Sequence, residues 1–237
     1  MFIGMGMPIP DLSNLPGPSR PGGGGGSAFE YTAIDNSFSM EFDGVASTFN
    51  AGLFNDLDNG DLSACIWINT PNTRTVTDYV FTNSGSTSKA GFDIAINRYG
   101  SILTNRQTRT LKADTGFVVV GLTVNTWHHI AFTYEESTNT IRQYFDGQLT
   151  STVIGSSRTT SASTSLNIGS YDGASNFFLG KADEAAIWST VLSEETIQAI
   201  YDATANNPGK VADLSETPEG APTAFDRDWE TDRKSVV

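Results

Sequence analysis

Acidic side chains fall in two stretches of this 237-residue sequence where no cation neutralises them. Glu30, Asp35, Glu41, Asp43, Asp56, Asp58 and Asp61 lie between Arg20 and Arg74, and Asp183, Glu184, Glu194, Glu195 and Asp202 lie between Lys181 and Lys210. Gathered carboxylates repel one another unless water solvates them or a hard cation such as Ca2+ bridges them. The intervening sequence has the opposite polarity. Residues 74–112 hold six bases (Arg74, Lys89, Arg98, Arg106, Arg109, Lys112) and two acids (Asp78, Asp93), with Tyr79, Phe92 and Tyr99 interspersed. Arginine forks grip carboxylate or sulfate, and an aromatic ring can lie beneath a sugar. Arg98, Tyr99 and Arg106 are therefore candidates for recognising an anionic polysaccharide. Tyr171 and Phe177, in loop sequence further on, are candidates for sugar stacking.

Catalytic patterns are weaker. Retaining glycoside hydrolysis needs two carboxyl groups about 5–5.5 Å apart. Asp56, Asp58 and Asp61 are dense enough, but Asn59-Gly60 makes that stretch a loop, and it lacks full EF-hand spacing. Asp183 and Glu184 are adjacent on a strand and should point to opposite faces. His128 or His129 could enter a Ser/His/Asp set, yet no nucleophile-elbow sequence accompanies them. The chain is expected not to be an enzyme. A lone Cys65 excludes an intrachain disulfide and a Cys-rich zinc site.

The elements that must position these groups are strands. Phe38, Met40 and Phe42 alternate with Ser37, Ser39 and Glu41; Ala64, Ile66 and Ile68 with Cys65, Trp67 and Asn69; Phe92, Ile94 and Ile96 with Asp93, Ala95 and Asn97. Turn pairs bound the runs: Asp43-Gly44, Asn59-Gly60, Tyr99-Gly100, Asp146-Gly147 and Asp172-Gly173. Asp146-Gly147 suits a two-residue type I′ hairpin, because both residues tolerate positive φ. On Trp127–Tyr134, apolar side chains occupy both faces, which predicts a central strand covered on its outer side as well. Trp127 and Trp188 are thus expected in the core. One helix is predicted late in the chain, capped by Ser193, with Glu194 and Glu195 in its first turn and an Ile197, Ile200, Tyr201 stripe, running to about Ala203.

Residues 1–27 contain Pro8, Pro10, Pro16, Pro18, Pro21 and the Gly22–Gly26 run, and read as a peptide anchor on a flexible linker. Residues 28–205 form the folded body, and 206–237 an acidic irregular tail. The last six residues, Asp232–Val237, match one reading frame of a common sequencing adapter and are expected to be non-native. The net charge of −13 argues against binding nucleic acid or anionic membrane. Met1–Met7 lacks a basic n-region and is stopped by Pro8 and Pro10, so no signal peptide is expected.

An ordered series of motifs resembles the laminin-G-like domains of the concanavalin A-like superfamily. It comprises Met40–Gly44, Leu62–Ile68, Thr126–Tyr134, Tyr144–Gly147, Asn167–Gly169, Phe177–Trp188 and Val191–Glu195. The resemblance implies an all-β fold, a jelly-roll sandwich of two antiparallel sheets with one short helix near its C-terminal end. It implies that the first and last strands pair, which should bring the two acidic stretches together. It also implies Ca2+, with Asp43 and Asp183 as ligands helped by carbonyls near Gly44. The Glu-x-Asp-x-x-Glu run of the family's glycanases is missing from this sequence.

The functional expectation is a non-catalytic module that binds a glycan or host-surface polysaccharide. The Ile9–Pro21 block resembles short leaders on marine phage structural proteins. Residues 1–21 would then dock onto other virion proteins, and the module would act outside the cell after lysis. Two alternatives stay open at this point: a virion or filament subunit that binds only copies of itself, and a glycan-cleaving enzyme. Glycan release would reveal the enzyme.

Overall fold

The computed structural model describes residues 29–54, 60–71, 77–83, 91–97, 101–107, 112–114, 118–154 and 164–225. In chain order its strands are β1 (Ala33–Asp35), β2 (Met40–Asp43), β3 (Phe49–Phe54), β4 (Leu62–Asn69), β5 (Asp78–Thr82), β6 (Gly91–Ile96), β7 (Ser101–Gln107) and β8 (Lys112–Asp114). There follow β9 (Val118–Val119), β10 (Trp127–Glu135), β11 (Thr140–Phe145), β12 (Gln148–Ile154), β13 (Thr164–Ile168) and β14 (Leu179–Trp188). Helix α1 (Glu194–Ala205), β15 (Lys210–Ala212) and β16 (Ala224–Phe225) complete the order. This is the expected all-β sandwich of antiparallel sheets, with one α-helix among the described residues.

The first sheet runs β12-β11-β10-β4-β14-β16, with β2 also on β14; the second runs β3-β13-β5-β6-β7-β8, with β9 also on β7. Pairing of β2 with β14 joins the beginning and end of the jelly roll, as the family resemblance implies. Alternation sends Ile66, Ile68, Ile130 and Phe132 from the first sheet, and Phe81, Phe92, Ile94 and Ile168 from the second, into one core between them. The hairpin joining β11 to β12 turns at Asp146 (φ 48°) and Gly147 (φ 76°), the two positive values of a type I′ turn.

A second apolar layer covers the outside of the first sheet. Cys65, Ala131, Tyr144, Ala186 and Trp188 pack beneath Ile197, Ile200 and Ala203 of α1, while Trp67 and Trp127 pack with Tyr201. Each buried aliphatic of the helix contributes roughly 2 kcal/mol. Trp127 is buried, as the two-faced pattern of β10 predicts, and so is Trp188 on β14. Ser193 caps α1 by accepting the Thr196 N–H.

Two features differ from the sequence reading. Residues 206–225 are not an irregular tail: β15 pairs with β1, β16 pairs with β14, and Asp213 caps a 3-10 turn at Leu214–Glu216. Strands of two or three residues are too short to show a period, which is why the pattern hid them. The second difference is a bulge in β14 between Asp183 and Ala186, where Glu184 takes a φ of 50°. No helix among the described residues is long and apolar enough to cross a membrane.

Candidate functional site

The two sheets have opposite kinds of outer face. That of the first is apolar and sealed by α1. Across the second, register aligns Asn50, Asn167, Thr82 and Asp93 in one row over β3, β13, β5 and β6. Each alternates with interior positions such as Phe81, Phe92, Ile94, Leu166 and Ile168, so the row lies on the side away from the core. Thr82, Asp93 and Asn167 are at most 1% exposed and form a polar floor. Asn50 donates to Asn167 Oδ1 at 3.0 Å, tying β3 to β13.

The floor fixes a loop, residues 169–177. Thr82 Oγ1 donates to the Tyr171 carbonyl at 2.9 Å, and Gly173 N–H donates to Ser170 Oγ at 3.0 Å. Ser170 Oγ shares a 2.6 Å hydrogen bond with Thr48 Oγ1, which couples this loop to the one after β2. Backbone bonds from Tyr79 N–H to the Asn176 carbonyl and from Gly169 N–H to the Val80 carbonyl clamp it onto β5. Gly169 is required there: at its φ of 87°, a Cβ would come 2.2 Å from the Phe42 ring.

So braced, Tyr171 lies 4.6 Å from Tyr79, centroid to centroid, with planes inclined at 58°. Both rings are half-buried, and exposed Asp172 and Asn176 stand beside them on the same loop. A partly exposed tyrosine pair offers an apolar wall for the C–H face of a sugar and phenolic hydroxyls for its hydroxyl groups.

The sequence candidates fare unequally. Tyr171 is in this site; Phe177 closes the same loop and is half-buried. Arg98 and Tyr99 lie outside the described residues. Arg106 is on β7, in register with Phe92 and Ala113. Phe92 itself is fully buried core. Sequence reading left Tyr79 as one aromatic in a basic stretch and missed Thr82, Asn167 and Ser170. The alternation of Asp93 with Phe92 and Ile94 was visible, but the alignment of four strands is not written in any one of them.

The expected calcium ligands do not form one shell. Asp43 pairs with Leu179, four residues before Asp183 on β14, which separates the two by about 13 Å along the strand. Asp43 Oδ1 already accepts the N–H groups of Val45, Ala46 and Ser47 at 2.8–2.9 Å. These donors hold its carboxyl well below the usual carboxylate range. Gly44 lets the chain enter that loop at a φ of 71°. Among the described residues, no three of His, Cys, Asp and Glu come together as a cation site. The Asp56–Asp58 loop lies outside the described residues.

Asp183, Glu184 and His128, the groups sequence offered for catalysis, are engaged within the protein. The bulge at Glu184 overturns the expectation that Asp183 and Glu184 diverge: both accept from Asn36 Nδ2, at 2.9 and 3.5 Å. That amide fills the space a substrate oxygen would need, and Glu184 is buried beneath α1. His128 Nδ1 meets Asp146 Oδ2 at 2.8 Å, a dyad-like pair, but Nε2 accepts the Thr123 N–H at 2.9 Å. With that lone pair engaged, the imidazole cannot take a proton from a nucleophile.

A family model described as the concanavalin A-like lectin/glucanases superfamily matches residues 43–198. No curated protein is a significant match. Among solved structures, the Ruminococcus gnavus IT-sialidase CBM40 bound to alpha2,3 sialyllactose aligns at a TM-score of 0.51 and 12% identity, over 74% of this chain and 100% of that one. Domain 4 of AbnA, a GH43 extracellular arabinanase from Geobacillus stearothermophilus in complex with arabinotriose, aligns at 0.54 and 16%, over 73% and 81%. A putative carbohydrate binding protein from Bacteroides ovatus aligns at 0.56 and 14%, over 84% of this chain and 52% of that one. At such identities the likeness establishes the fold.

Proposed function

Since the chain belongs to the concanavalin A-like lectin/glucanases superfamily, we propose that it is a non-catalytic carbohydrate-binding module whose ligand seats against Tyr79 and Tyr171. The observation that carries this reading is the asymmetry of the two outer faces. One is apolar and closed by α1; the other has a polar floor and a braced aromatic pair at its rim. The solved relatives include carbohydrate-binding domains, which supports the same reading.

The occupied His128 and the Asn36-bridged carboxylates support binding rather than cleavage. A glycan array probed with the full chain tests the proposal, and it should include anionic polysaccharides because residues 74–112 carry six bases to two acids. Signal on at least one glycan class is expected, with no reducing sugar released from it. An array without signal contradicts binding, and sugar release contradicts the non-catalytic part. Attachment to a virus particle through residues 1–21 belongs to the same proposal and is supported by sequence alone: proline-rich apolar residues followed by five glycines. A chain lacking residues 1–21 should fold normally and fail to join the particle.

A further inference from the structure

On the sealed side of the molecule, β10 carries a titratable group that the glycan face does not use. His129 is fully buried, and neither Nδ1 nor Nε2 has a hydrogen-bond partner. Its ring lies 5.2 Å from Trp67 and 6.5 Å from Tyr201 of α1, while Tyr201 stacks on Trp67 at 5.7 Å and 14°. A neutral imidazole can sit in such a place. An imidazolium brings a charge and two N–H donors, and here it would find neither water nor an acceptor.

The groups around it offer little relief. Asp146, in the hairpin turn, is the nearby anion, but its Oδ1 accepts the His129 backbone N–H and its Oδ2 holds His128. Tyr201 faces the ring from α1, followed on the helix by Asp202; burial raises the Tyr201 phenol to about 12, so it stays neutral. β4 contributes only Trp67, and beyond that strand β14 carries Asp183 and Glu184. His128, one residue away on the other face of β10, has both ring nitrogens satisfied.

We propose that His129 is an acid-sensitive latch on helix α1: protonation separates the helix from the first sheet and exposes Trp67 and Tyr201, while the sandwich core stays folded. The helix is the element that yields because it is the cover over His129, whereas on the core side of β10 the one histidine, His128, has both ring nitrogens hydrogen-bonded among apolar side chains. Burial holds the His129 imidazole down to about 4 against an ordinary 6.5. The open form therefore binds the proton that the closed form refuses. Closure is favoured most above pH 6.5 and weakens by about tenfold per pH unit as pH falls from 6.5 towards 4, below which the dependence levels off.

Amide hydrogen exchange on the full chain from pH 7 to 3.5, corrected for intrinsic rates, tests the latch. Peptides spanning residues 194–205 should lose protection as the pH drops, ahead of those from β5 and β6. His129→Leu and His129→Gln, neither of which can take the proton, should each keep that protection to lower pH. The pair guards against one variant failing to fold. Protection of α1 that ignores pH, or that falls identically in wild type and in a folded variant, overturns the proposal.

Discussion

At Gly169 two requirements coincide: the backbone sits at a φ of 87°, and the Phe42 ring occupies the space of a Cβ. Gly169→Ala should cost about 2 kcal/mol or more, lowering the melting temperature by about 4 °C or more. An unchanged melting curve would show that Phe42 and the loop can give way. Asp43 makes the complementary point about charge. Its carboxylate is spent on three backbone donors, so Asp43→Ala should lower stability equally with calcium and with chelator. A loss confined to calcium-containing buffer would restore it as a ligand. Burial of His129 contributes to the pH dependence: with its imidazole near 4 when folded and 6.5 when exposed, the native state loses roughly 3 kcal/mol as pH falls from 6.5 to 4. At this scale the sequence showed residue types well and their neighbours poorly. Tyr171 was legible as an aromatic in loop sequence suited to stacking on a sugar. Its partner Tyr79 was not, since their meeting depends on how loop 169–177 folds back over β5.

Among the elements, α1 was the most legible, because capping serine, first-turn acids and apolar stripe all agree. The structure extends it only from about Ala203 to Ala205. Ser193→Ala removes the acceptor for Thr196 N–H and should destabilise the chain by about 1 kcal/mol, measurable by thermal melting. No loss would mean that Glu219, which also accepts from Thr196 Oγ1 and Ser193 N–H, is enough to hold the helix start. The hairpin at Asp146-Gly147 was equally readable from its two turn residues. β15 and β16 were not, because two- and three-residue strands are specified by their partners β1 and β14 and not by a pattern of their own. A chain ending after residue 209 should accordingly melt well below the full chain. Melting at the same temperature would return residues 210–225 to the status of a tail.

For the molecule as a whole, the alternation of strands and the family motifs together made the sandwich readable. What they could not convey is which outer face is left for a ligand. That follows from where α1 lands, and α1 lands on the sheet whose outer side is lined by Trp67, Tyr144 and Trp188. The remaining face, with its polar row and its tyrosine pair, is where the account places the glycan. The direct test is to probe one glycan array with the wild-type chain and with Tyr171→Ala, after circular dichroism and melting have shown both to be folded. The account predicts signal from the wild type and at least a tenfold weaker response, about 1.4 kcal/mol, from the variant. Equal binding by the two proteins would contradict it.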